Sequence, residues 1–98
     1  MPYKLSSLAE EDIEGIYEYT LLNFGKQQAL AYADDLHNIL NDLADSLLTG
    51  ADCPEIAEGV WRHYHQRHAI FYRRRKSDIL VIRILHQQMK VMKHIIDL

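Results

Sequence analysis

The sequence predicts an α+β fold: an N-terminal strand, then an antiparallel two-helix hairpin packed on a small antiparallel β-sheet. Three observations predict it. Two neighbouring stretches, Ile13–Phe24 and Ala29–Leu47, place apolar residues at helical spacing and are separated by Gly25. Three strand-like stretches follow, Val60–His65, His68–Arg74 and Ile79–His86. The links between them, Gln66-Arg67 and Arg75–Asp78, are so short that consecutive strands must be antiparallel neighbours.

Each element has its own justification. Pro2–Ser6 alternates, with Tyr3 and Leu5 on one side and Lys4 on the other, and reads as the first strand. Ser7-Leu8-Ala9-Glu10 has the form of a capping box, the Ser7 hydroxyl accepting from the Glu10 amide. Glu10, Glu11 and Asp12 complement the positive end of the helix that begins there. Ile13, Ile16, Tyr17, Thr20 and Phe24 form its apolar face, and Gly25 ends it. The second helix repeats apolar groups at Ala29, Ala33, Leu36, Leu40, Leu43 and Leu47, a narrow seam suited to close antiparallel packing. Tyr19, Leu22, Tyr32 and Ile39 lie off these faces, either as scattered surface residues or as a groove for a partner. Thr49–Gly59 reads as a loop. Ile79–His86 is apolar on both faces apart from Arg83, which places it inside the sheet. The last twelve residues carry Met89, Met92 and Ile96, compatible with a closing helical turn.

The 98 residues are expected to form one domain, 1–98. The single Cys53 cannot close an internal disulfide, and with no leader pattern this points to a reducing, cytoplasmic location. No apolar run approaches the length needed to span a bilayer, so no membrane role is expected. The net charge of −3 conceals an asymmetry: residues 1–59 hold twelve acidic and two basic side chains, residues 60–98 two acidic and nine basic. Either each half solvates its own surface, or the basic half faces an acidic partner.

Chemistry-bearing residues concentrate in the second half. His63 and His65 share a strand face about 7 Å apart, but a metal needs at least a third ligand, and sheet-packing histidines are the better reading. No metal or cofactor is expected. Arg73-Arg74-Arg75-Lys76 enters a turn beside Arg62, Arg67 and Arg83; Tyr64, Phe71 and Tyr72 interleave with them, with Phe71 and Tyr72 better read as core. Arg83 is the most informative position. Inside Ile79–Leu85 it must pair with a carboxylate, reach the surface or serve a site. An Arg and a His around one cleft can stabilise and protonate a phosphodiester, yet His86, three residues on, falls on the opposite face of an ideal strand.

His68-Ala69-Ile70-Phe71-Tyr72-Arg73 and Val81-Ile82-Arg83-Ile84-Leu85-His86-Gln87-Gln88-Met89 together resemble the ParE branch of the ParE/RelE toxin superfamily. Ala9, Asp12, Ile13, Ile16 and Tyr19, then Gly25, Ala29, Tyr32 and Leu36, and Gly59-Val60-Trp61-Arg62 extend the resemblance over nearly the whole chain. It implies a non-enzymatic toxin of a type II toxin–antitoxin module that poisons DNA gyrase by trapping its cleaved-DNA complex. It also implies neutralisation by a ParD-like antitoxin, possible toxin–antitoxin hetero-oligomers, and no direct sequence-specific nucleic-acid binding. Within the family the C-terminal region is the usual seat of gyrase contact; here Arg83, His86, Met89, Lys90, Met92 and Lys93 are the candidates. An antitoxin helix over Tyr19, Leu22, Tyr32 and Ile39, with an acidic tail on Arg62 and Arg73, is the expected mode of control. The alternative is a RelE-type ribosome-dependent messenger-RNA endoribonuclease using Arg62, Arg83 and His86. The acidic loop residues Asp52, Glu55 and Glu58 and the absence of a late Tyr depart from that pattern. A non-toxic antitoxin-binding module of the same fold is a third reading.

Overall fold

In the computed structural model, residues 2–86 are described. Their order is β1 (Tyr3–Leu5), α1 (Ser7–Phe24), α2 (Lys26–Ala44), β2 (Ala51–Asp52), β3 (Val60–His65), β4 (His68–Arg74) and β5 (Ile79–His86). The strands form one sheet in the order β1-β5-β4-β3-β2. The pairs β2–β3, β3–β4 and β4–β5 are antiparallel, as the short links require. β1 instead runs parallel to β5, Tyr3 opposite Ile79 and Leu5 opposite Val81. The sheet is therefore mixed, where a purely antiparallel one was expected. The whole helical hairpin intervenes between β1 and β5, which is the length of crossover that parallel pairing needs.

The start of α1 also differs from expectation. Ser6, not Ser7, is the N-cap: its Oγ accepts from the Ala9 N–H at 3.0 Å. The same hydroxyl donates to the Ile82 carbonyl at 2.6 Å, so the cap is chosen by the strand beside it as well as by the helix. Gly25 is the hinge of the hairpin. Its N–H donates to the Leu21 carbonyl, and its own carbonyl accepts from Ala29, each at 3.1 Å. Its φ of 92° lies where a side chain would be strained, which is why one residue suffices to join two helices. α2 stops at Ala44, short of the Leu47 that the spacing includes, and Leu47 is exposed.

Two apolar layers flank the sheet. Leu36, Leu40, Leu43 and Ala9 from the helices pack with Ile70, Tyr72, Val81 and Ile84 on one face. Val60, Ala69, Phe71, Ile82 and Leu85 form the other layer, against Ile56 and Ala57. Phe71 and Tyr72 are fully buried, as core aromatics should be. The stretch read as loop contains β2, whose two residues pair with Trp61 and Arg62 and close the far edge. Gly50, just before it, donates its N–H to the Tyr72 hydroxyl at 2.9 Å. A Cβ at that glycine would sit 2.5 Å from the Arg62 carbonyl oxygen, so only glycine permits this approach.

Candidate partner-binding cleft

The site is organised by the edge of β5. β1 covers that edge only as far as Val81, and the Ser6 N–H closes the run by donating to the Val81 carbonyl. Beyond it, side chains of the first turns of α1 take over. Ser6 serves the Ile82 carbonyl, and the Asp12 Oδ2 accepts the Ile84 N–H at 2.9 Å. A register shift in the β4–β5 ladder, with Phe71 opposite Arg83 but Tyr72 opposite Val81, leaves Ile82 as an extra residue. Arg83 meets Asp12 through two bonds, Nε to Oδ2 at 2.8 Å and Nη2 to Oδ1 at 2.9 Å. Both side chains are only 12–14% exposed, and the bonds to Asp12 raise the guanidinium's hold on its proton above the usual value. Arg83 thus pairs with a carboxylate, the first of the three fates open to it.

This clamp fixes one wall of a cleft of about 860 Å³ between α1, the start of α2, the β3–β4 turn and the end of β5. Ile16, Tyr19, Phe24 and Ile84 give it apolar surface; Glu11 and Asp12 lie on α1, Arg67 in the turn, and His68 and His86 on the sheet. Tyr32 crosses from α2, its hydroxyl 2.7 Å from Nδ1 of His68. The Tyr32 phenol is pushed up to about 12 by burial and then by Asp35, so it keeps its proton, and which of the two groups donates follows the tautomer of His68. His68 and His86 are cross-strand partners with rings edge to face, centroids 5.5 Å apart. Burial first, then the neighbouring His86 and His65, holds the His68 imidazole below its ordinary value, with Asp12 opposing. His63 is lowered by burial and by His65. A histidine whose folded value is depressed contributes stability that is complete above about pH 6.5 and is lost as pH falls through the folded value. Thermal unfolding should therefore show a lower Tm at pH 5 than at pH 7.5, and the difference should shrink in His68→Gln.

The expected contact residues fall into separate places. Tyr19 is 63% and Leu22 77% exposed, and with Phe24 and Leu30 they make an apolar tip on the hairpin. Tyr32 and Ile39, expected off the buried faces, are partly buried: Ile39 packs on the helix-side core and Tyr32 is held by His68. Phe24, expected on the buried face of α1, is 66% exposed. Arg62 stacks over the Tyr64 ring at 4.8 Å, and its Nε is buried without a hydrogen-bond partner. The basic run is committed locally. The guanidinium of Arg73 donates to the Glu58 carbonyl, Arg74 lies over Trp61, and Arg75 makes a forked pair with Asp78. Arg62 and Arg83 both lie opposite Phe71, on either side of β4, while His86 stands in the cleft with His68. Met89, Lys90, Met92 and Lys93 lie outside the described residues. Cys53 is buried, and that burial pushes its thiol up, away from nucleophilic use. The spacing of the sequence did not disclose the cleft's Glu11, Asp12 and Arg67 as neighbours of His68, because the fold brings α1, the β3–β4 turn and β4 together.

The fold is similar to that of a chain of the chromosomal ParDE toxin–antitoxin system from P. aeruginosa. That likeness has a TM-score of 0.73 at 20% identity, over 88% of this chain and 95% of the other. The family model for the ParE toxin of type II toxin–antitoxin systems, parDE, matches residues 3–91. Toxin ParE1 of Caulobacter vibrioides is 31% identical over 94 residues, 96% of this chain and 97% of that protein. Toxin ParE1 of Mycobacterium tuberculosis is 33% identical over 90 residues, 91% of this chain and 92% of that protein. The chain belongs to the ParE toxin family of type II toxin–antitoxin systems.

Proposed function

We propose that this chain is a non-enzymatic toxin that traps DNA gyrase on cleaved DNA and is neutralised by a ParD-like antitoxin seated in the cleft. The observation that carries the antitoxin part is the exposed apolar surface of the hairpin, part of which lines the cleft. Ile16, Tyr19 and Phe24 line the cleft, and Leu22 and Leu30 extend the exposed apolar surface on the same hairpin. A partner helix with anchors at helical spacing fits such a surface. A standard interface of about 1,600 Å² anchored there is enough for tight binding. The basic side chains Arg62 and Arg73 remain the proposed landing for an acidic tail, and the partner complex is proposed to be a hetero-oligomer.

Gyrase contact is proposed at the end of β5 and beyond it, through His86, Met89, Lys90, Met92 and Lys93. Arg83 contributes by fixing that strand end to α1 through Asp12. The same ion pair argues against Arg83 as a group that meets a scissile phosphate. Induced expression of the chain should arrest growth, and co-expression of a cognate ParD-like antitoxin should restore growth. Arrest that persists despite a soluble, co-purifying antitoxin would remove the neutralisation part of the proposal. Rapid ribosome-dependent loss of messenger RNA during arrest would replace gyrase with the ribosome as target.

A further inference from the structure

We propose that the cleft takes up a proton when an acidic, apolar-anchored segment of a protein partner fills it, the segment's carboxylate meeting the paired imidazoles of His68 and His86. The inference rests on the antitoxin reading above and adds the chemistry of the bound segment and its dependence on pH.

The cleft has two chemically different ends. Apolar surface from Ile16, Tyr19 and Phe24 lies toward the hairpin tip, while His68, His86 and Arg67 stand together at the end of the sheet. Around His68, every packed element contributes a charged or titratable group. α1 brings Glu11 and Asp12, and the latter is already bound to Arg83 and the Ile84 N–H. α2 brings Tyr32, with Asp35 close enough to act on its phenol. β3 brings His65, whose ring lies 5.8 Å from that of Tyr32 and whose buried Nε2 has no hydrogen-bond partner, with His63 beyond it. The turn brings Arg67, and β5 brings Arg83 and His86.

In this arrangement the Tyr32 hydroxyl and Nδ1 of His68 share a hydrogen bond whose donor is set by the tautomer of the ring. A second proton is opposed by burial and by the other imidazoles, with only Asp12 favouring it. A carboxylate arriving within about 4–6 Å reverses that balance, because an opposite charge favours the protonated ring. Tyr32 can turn its hydroxyl and accept from Nδ1, so the cluster accommodates the proton without losing the contact. By linkage, a group that gains a proton on binding makes affinity rise as pH falls, by at most about tenfold per pH unit per proton. The free chain behaves oppositely, losing stability in the same direction, so the two effects are separable.

The test is calorimetric titration of the intact chain with its cognate ParD-like antitoxin, at pH 7 in phosphate and in Tris, whose ionisation enthalpies differ. The expected result is a buffer-dependent enthalpy corresponding to net proton uptake, and tighter binding at pH 6 than at pH 8. His68→Gln should bind more weakly and lose that uptake. As a check independent of any variant, the imidazole carbon and nitrogen signals of His68 should report a more basic ring in the complex than in the free chain. Tight binding with equal enthalpies in both buffers overturns the proton linkage and leaves the antitoxin reading standing. Full uptake in His68→Gln, or an unchanged His68 titration, overturns the assignment to this ring. Absence of binding overturns both proposals.

Discussion

Asp12→Ala should lower the unfolding free energy by about 3–5 kcal/mol, the cost of leaving a mostly buried ion-pair partner uncompensated. Small domains hold about 5–15 kcal/mol in total, so the variant should be close to unfolded at 37 °C. Two losses act together. The Arg83 guanidinium, 12% exposed, keeps its charge without its carboxylate. The Ile84 N–H, at an edge that β1 does not reach, loses its acceptor. Asp12→Asn separates the two, because an amide oxygen can still accept from Ile84 while the charge is gone. It should cost roughly half as much, since a lost hydrogen bond to a charged group is worth about 1.5–3 kcal/mol. Urea unfolding of the three proteins measures this directly. A loss below 1 kcal/mol in Asp12→Ala would mean the clamp is not what fixes the end of β5.

The double variant Tyr19→Asp, Leu22→Asp should weaken antitoxin binding by at least about 30-fold, the factor that corresponds to about 2 kcal/mol at an interface anchor. Both side chains are more than 60% exposed, so the fold should be unaffected. Ile39→Asp is the contrasting case: its side chain packs on the helix-side core, and the change should cost stability first. Surface-immobilised antitoxin and the folded variants give the two affinities. Undiminished binding by the double variant would move the partner's seat away from the hairpin tip.

Much of this architecture was legible because local physics determined it. The three long strands carry the bounds that their alternation and two- or four-residue links dictate. Arg83 announced itself as a charge inside an apolar strand, and the pairing it needed is present. What was not legible depends on residues far apart in the chain. Asp12 is 71 positions from Arg83, and nothing in the spacing of α1 distinguishes it from Glu10 or Glu11. The choice of Ser6 over Ser7 as cap is made by the Ile82 carbonyl, which the helix sequence does not contain. The parallel pairing of β1 depends on where the whole hairpin delivers the chain. The His68–His86 contact needs the β4–β5 register, including the shift at Phe71 and Tyr72 that spacing alone does not give. The cleft, lined from α1, α2, the β3–β4 turn, β4 and β5, follows from all of these at once.

The central proposal is a toxin that acts by binding gyrase and is neutralised by its antitoxin. Purified chain added to DNA gyrase, supercoiled plasmid and ATP measures this most directly, with linear DNA counted after detergent and protease treatment. Dose-dependent accumulation of cleaved DNA is expected, and it should disappear when stoichiometric antitoxin is added first. Unchanged supercoiling and no cleaved DNA, from folded chain that still binds its antitoxin, would contradict the proposal.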